Sequence, residues 1–119
     1  MSIGLALSLR NARLAAVVAT IDAGDDPGRL MLYKGTRPAT GGAPGAGDLL
    51  ASLELANPSG SIDAAVLTFA AVANQTAGAA GIPTWARFVS SDYSQVLDAD
   101  VGITGSGALV EMAEDPVNP

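Results

Sequence analysis

The hydrophobic pattern changes period near residue 25. Before it, Leu7, Leu14, Val18 and Ile21 fall on one helical stripe whose polar member is Asn11. With Ser8 as N-cap and Gly24 as C-terminal stop, the spacing predicts a helix over residues 8–23. Arg10 and Arg13 lie one turn apart beside that stripe. After the Asp25-Asp26-Pro27-Gly28 turn the period becomes two. Arg29 to Gly35 reads as a strand with Leu30 and Leu32 on one face and Met31 and Tyr33 on the other. Leu49 to Ala56 alternates likewise, Leu49, Ala51, Leu53 and Leu55 against Ser52 and Glu54, the pattern of a half-buried strand.

Between these strands, Thr36 to Gly47 holds four glycines and two prolines and reads as a mobile loop. Ile62 to Ala73 is an apolar run with Val66, Thr68, Phe69 and Val72, read as one strand, with helix left open by its alanines. Asn74 to Gly81 is a small-residue loop. Thr84 to Ser90 and Gln95 to Thr104 form a hairpin around Ser91-Asp92-Tyr93-Ser94, and Ala108 to Met112 a last short strand. The expected fold is mainly β: an antiparallel β-sandwich with one N-terminal helix, in a single domain over residues 1–119. The helix takes residues 8–23, the sandwich 29–112, and an acidic, proline-containing tail 113–119.

Within the predicted hairpin, alternation sets Trp85, Arg87 and Val89 on one face and Ala86, Phe88 and Ser90 on the other. Arg87 is the only basic residue after Arg37, beside the single tryptophan. With Trp85 in the core, Arg87 belongs at its edge, stacked on the indole or paired with Asp98 or Asp100 across the hairpin.

Composition narrows the chemistry. The chain has no histidine and no cysteine, which removes a Ser-His-Asp relay, a thiol nucleophile and the usual transition-metal ligands. Lys34, the single lysine, has no serine in its local motif. Gly41 to Asp48 resembles a phosphate loop but lacks the Lys-Ser/Thr ending and sets a carboxylate there instead. Gly102 to Gly107 fails the dinucleotide spacing. Asp98 and Asp100 share a strand face and could hold a hard cation such as calcium, although two carboxylates on a solvated face are the commoner arrangement. The expectation is a non-enzymatic chain with no cofactor and no metal.

Charge is uneven. Residues 1–47 carry five bases and three acids, whereas residues 48–119 carry Arg87 against nine acids. Such an acidic body repels a phosphate backbone, so no nucleic-acid partner is expected. No membrane partner is expected either: the longest apolar run, Ala64 to Ala73, is interrupted by Thr68. Arg10 and Arg13 follow the apolar N-terminal run, whereas a signal peptide carries its cations in front. Aromatics make up only 4% of the chain, against 14 glycines and seven prolines, so the core is thin and part of the stability is expected from assembly.

In order along the chain stand Leu9-Arg10-Asn11-Ala12-Arg13-Leu14, then Leu30, Leu32, Tyr33, Gly35, Thr36 and Pro38. Leu49-Leu50-Ala51, Leu53 and Leu55 follow, and then Thr84-Trp85-Ala86-Arg87-Phe88. The order and spacing of this series resemble a group of small structural proteins of tailed bacteriophages and prophages, over most of residues 5–105. The resemblance implies a virion component assembled in the host cytoplasm, a head decoration or cement protein with a jelly-roll-like β-sandwich. It would bridge capsomers on the outer surface of the capsid. Its partner would be the phage major capsid protein, and it would be a homo-oligomer, a dimer or trimer. Arg10, Arg13 and Arg37 would face the shell, and Trp85, Arg87 and Phe88 would be structural. Such proteins typically continue into further β-structure where this chain has Glu114 to Pro119, so either the last strand is missing or a neighbouring subunit supplies it. The alternative is a tail or fibre module binding a host surface glycan through Trp85, Tyr33 or Tyr93.

Overall fold

The computed structural model describes residues 4–70, 78–103 and 110–112. In them the chain forms one helix, α1 (Leu7–Ile21), and seven strands. These are β1 (Arg29–Tyr33), β2 (Leu49–Glu54), β3 (Gly60–Asp63), β4 (Val66–Phe69), β5 (Trp85–Val89), β6 (Gln95–Ile103) and β7 (Val110–Met112). Five strands make one sheet in the order β2-β1-β5-β6-β7, and β3 and β4 pair separately as a hairpin. The architecture is mainly β, largely antiparallel, with a single helix, and its two sheets do not close on each other.

Strand alternation gives the large sheet two unlike faces. Leu30, Leu32, Ala51, Leu55, Ala86 and Phe88 cluster on one, where Ile21 and Val17 of α1 and Phe69 of β4 pack against them. Phe69 stacks on Phe88 with ring centroids 4.6 Å apart, tying the small hairpin to the sheet. On the other face Tyr33 stacks on Trp85 at 4.3 Å. Trp85 and Leu50 are fully buried there, Leu50 beside Gly81 with its carbonyl accepting the Gly78 and Ala79 amides.

Several sequence expectations change. The helix begins at Leu7 rather than Ser8, with Ala6 at its N-cap and no side-chain cap. It ends at Ile21, before Gly24, which takes a positive φ of 101° in the following turn. The apolar run read as one strand over 62–73 is instead folded back on itself. Ala64 and Ala65 turn between β3 and β4 with φ of 49° and 62°, the signs a two-residue type I′ turn requires. Neither central position holds Gly, Asn or Asp, so the usual sequence signal of such a turn is absent. The final strand pairs parallel to β6, with Val101 opposite Val110, whereas an all-antiparallel sandwich was expected. The acidic tail 113–119 lies outside the described residues.

The loop read as mobile is tied down. The Gly41 amide donates to Asp98 Oδ2 at 3.0 Å, and Arg87 Nη2 donates to the Gly42 carbonyl at 2.7 Å. Arg37 reaches Asp100 at 3.4 Å. Loop 34–48 is therefore a strap across the Trp85 face, held by the charges that alternation puts there.

Candidate docking site

Arg10 and Arg13 line an open groove of about 380 Å³ with Leu14, Val17 and Ala65. Helical spacing sets Leu7, Arg10, Leu14, Val17 and Ile21 along one side of α1. The apolar members of that side are progressively uncovered toward the N-terminus. Ile21 is fully buried, Val17 and Leu14 are half-buried, and Leu7 is 47% exposed. Leu9, on the far side of the same turns, is 48% exposed. The stripe thus runs beyond the sheet that covers its C-terminal end.

The opposite wall of the groove is the β3–β4 turn. The Ala65 amide donates to Asn11 Oδ1 at 2.8 Å, so the helix holds the turn in its left-handed conformation. Asn11, the polar interruption of the apolar stripe, acts here as a turn clamp. Its sequence signal was only its place in that stripe, and Ala65 gave none. At the other end of α1, the Asp22 carboxylate accepts the Ser59 amide at 3.1 Å and 3.2 Å, anchoring the start of the same hairpin. Neither Arg10 nor Arg13 forms an ion pair among the described residues, and both are exposed. Two exposed guanidiniums over an apolar floor suit a partner that brings carboxylates and a hydrophobic side chain together.

Arg37, grouped with these arginines from sequence, is elsewhere. It lies on the Trp85 face with Asp100, whereas α1 covers the opposite face of the sheet. Arg87 is inside: its Nε donates to Asp98 Oδ1 at 2.7 Å, and its guanidinium carbon lies 5.3 Å from the Trp85 ring centroid. Burial alone would raise the Asp98 carboxyl, but hydrogen bonds from Arg87 and the Gly41 amide, the Arg87 charge and the Gln95 side chain outweigh it and hold it low. The Tyr33 hydroxyl is pushed up by burial, opposed by the nearby Arg87 charge and reinforced by Asp98. Phe88 is in the core.

With Asp98 engaged by Arg87 and Asp100 by Arg37, the carboxylate pair is committed to cations of the chain itself. No cluster of three or more metal-ligating side chains occurs among the described residues. Trp85 is 1% exposed and Tyr33 is 7% exposed, so neither presents a ring to a sugar. Tyr93, at 59%, does. Among the described residues no helix is long and apolar enough to cross a membrane. No protein-family model, curated protein or solved structure matches this chain.

Proposed function

We propose that the protein is a non-enzymatic structural component of a phage virion, decorating the outer surface of the capsid and bridging capsomers. The supporting observation is the first turn of α1, which runs beyond the core and leaves Leu7 and Leu9 nearly half exposed beside Arg10 and Arg13, neither of which forms an ion pair among the described residues. Exposed leucines beside arginines at one end of a helix, on an otherwise acidic molecule, suit a contact face. The acidic remainder keeps the particle soluble and discourages wrong contacts.

Such a role needs shape, repetition and modest affinity. A standard contact buries about 800 Å² per partner, and a shell repeats it many times, so clamping follows from summed contacts. The docking element is the N-terminal half of α1, and the major capsid protein is its partner. In this reading the β3–β4 hairpin is the second layer of a jelly-roll-like sandwich left open at its edges, available to strands from neighbouring subunits.

The test is co-sedimentation of the purified chain with expanded and unexpanded phage shells. The wild type is expected to pellet with the mature lattice, and Leu7→Glu combined with Leu9→Glu to remain in the supernatant. Binding undiminished by that double change would overturn the assignment of α1, and no binding to either form of shell would overturn the decoration role.

A further inference from the structure

The turn between β5 and β6 carries an exposed acid and an exposed aromatic ring, and it is held at the C-terminal end of α1, away from the groove of its own chain. Asp92 and Tyr93 project from it, and Tyr93 is 59% exposed with φ at 66°. A bulky residue at positive φ is uncommon and persists only where its surroundings impose it. Here the Tyr93 amide donates to the Ser90 carbonyl at 2.9 Å and the Ser90 amide to the Ser94 carbonyl at 3.1 Å. The Ser94 amide donates to Asp92 Oδ1 at 3.1 Å. Ser90 Oγ donates to the same Asp92 oxygen at 2.5 Å, so these bonds set the backbone of the turn and hold the carboxylate by Oδ1, with Asp92 and Tyr93 both exposed to solvent.

Ser91 Oγ donates to the Ala23 carbonyl at 3.2 Å, which pins the turn beside the C-terminal end of α1. Arg13 lies eight residues before the last helical residue, roughly 12 Å along the axis at 1.5 Å per residue, and Arg10 farther still. A turn held at Ala23 does not enter the groove of its own chain. It is free to enter that of another copy.

We propose that the Asp92–Tyr93 turn of one copy docks in the α1 groove of a second copy, joining molecules head to tail. The Asp92 carboxylate meets Arg10 and Arg13, and the Tyr93 ring lies on Leu14, Val17 and Ala65. The charge match is between the only unpaired basic pair among the described residues and an exposed acid of the same chain. Turn and groove are different surfaces, so the contact is heterologous. It closes into a ring or runs on along a lattice. A single turn covers much less than the standard area of about 800 Å² per partner, so the contact is weak in solution and gains strength when copies are already side by side. The inference rests on reading the chain as a repeated surface component. It divides the docking element, with Arg10 and Arg13 facing the neighbouring copy and the exposed N-terminal end of the helix, Leu7 and Leu9, meeting the shell end-on.

The experiment places a photoreactive benzoylphenylalanine at position 93 of the full chain and irradiates it at concentrations up to roughly a millimolar, where weak contacts are populated. The expected product is a cross-linked dimer whose joined peptide contains Leu14 or Val17. Asp92→Arg, or Arg10→Glu with Arg13→Glu, should cut its yield severalfold. Mixing the two charge-reversed chains, with the photoreactive residue on the Asp92→Arg chain, should restore it. Absence of cross-linked dimer, joining at any other segment, or failure of the mixture to recover would each overturn the proposal. Shells separate this outcome from the decoration role. If only the contact between copies is wrong, the chain still pellets with shells, and if only the shell reading is wrong, the cross-link survives without them.

Discussion

Arg87 and Asp98 face each other across the β5–β6 pair and form a buried ion pair, Nε to Oδ1 at 2.7 Å and Nη2 to Oδ2 at 3.1 Å. The two-pronged geometry suits a guanidinium and a carboxylate. Their side chains are only 10% and 1% exposed. Each also holds the strap, Arg87 through the Gly42 carbonyl and Asp98 through the Gly41 amide. The pair therefore converts a glycine-rich segment into a fixed layer over Trp85.

Removing one partner leaves the other buried and uncompensated. Arg87→Ala is expected to lower stability by about 3–5 kcal/mol, the range for breaking a buried pair. Asp98→Ala should fall in the same range, and the double substitution should cost much less than the sum. Urea unfolding followed by fluorescence of Trp85 measures all three. Binding to shells, tested at a temperature where the variant is folded, should survive Arg87→Ala. Additive losses, or a folded Arg87→Ala chain that no longer binds, would contradict a purely structural role.

The same pair sets an acid limit. Asp98 is held below the ordinary aspartate value of 3.8, so the unfolded chain takes up its proton first as pH falls. Its contribution is fully present above that value and is lost as pH drops through the lower folded value. Asp92 is also lowered, first by the side-chain hydrogen bonds from Ser90 and Ser94, and adds a dependence of the same sign. Thermal melting between neutral pH and pH 2 is expected to show Tm falling steeply on the acid side. Asp98→Asn should start lower at neutral pH and lose less of its stability on acidification. An unchanged acid slope in that variant would remove Asp98 from the account.

What could be read from the chain follows from how local each signal is. Alternation in β1, β2 and β5 fixed which residues share a face, and with it the placing of Trp85 and Arg87 toward Asp98 and Asp100. The helix was visible because its stripe is periodic, but its uncovered N-terminal half was not, since periodicity does not reveal where a covering sheet ends. Sequence gives no sign that Arg37 stands apart from Arg10 and Arg13, because its partner Asp100 is 63 residues away, across a strap that composition marks as mobile. The Ala64-Ala65 turn is a case of tertiary override: Asn11, 54 residues earlier in the chain, holds a conformation that alanine disfavours. The groove depends on the second of these contacts, Asn11 to Ala65, so only its arginines were legible.

That turn is improvable. Left-handed backbone costs an L-residue roughly 1–2 kcal/mol, whereas glycine adopts it freely at an entropic cost of about 0.5–1 kcal/mol. Ala64→Asn with Ala65→Gly gives the sequence preferred in type I′ turns and is expected to raise stability by about 1 kcal/mol. Asn11→Ala should lower it by about 1 kcal/mol by leaving the Ala65 amide without its acceptor. Chemical denaturation measures both, and a destabilised Asn-Gly variant would show that the alanine methyl groups contribute more than their backbone strain costs.

Gly28 decides how closely α1 approaches the sheet. A Cβ there would meet Ile21 Cγ2 at 2.5 Å and the carbonyl oxygens of Ile21 and Val89 at 2.8 Å. Two of these three neighbours are backbone, so relief requires the helix end and β5 to move apart. Gly28→Ala is expected to destabilise the chain by about 1–3 kcal/mol, as overpacking does. The loss should be concentrated at Ile21, the only fully buried side chain of α1. Hydrogen exchange should therefore show lowered protection along α1 while β1 and β5 remain protected. On the proposed docking role of α1, the variant should also bind shells less well, although every residue of that face is intact. Uniform loss of protection across helix and sheet would instead mean that α1 and the sheet open as one cooperative unit.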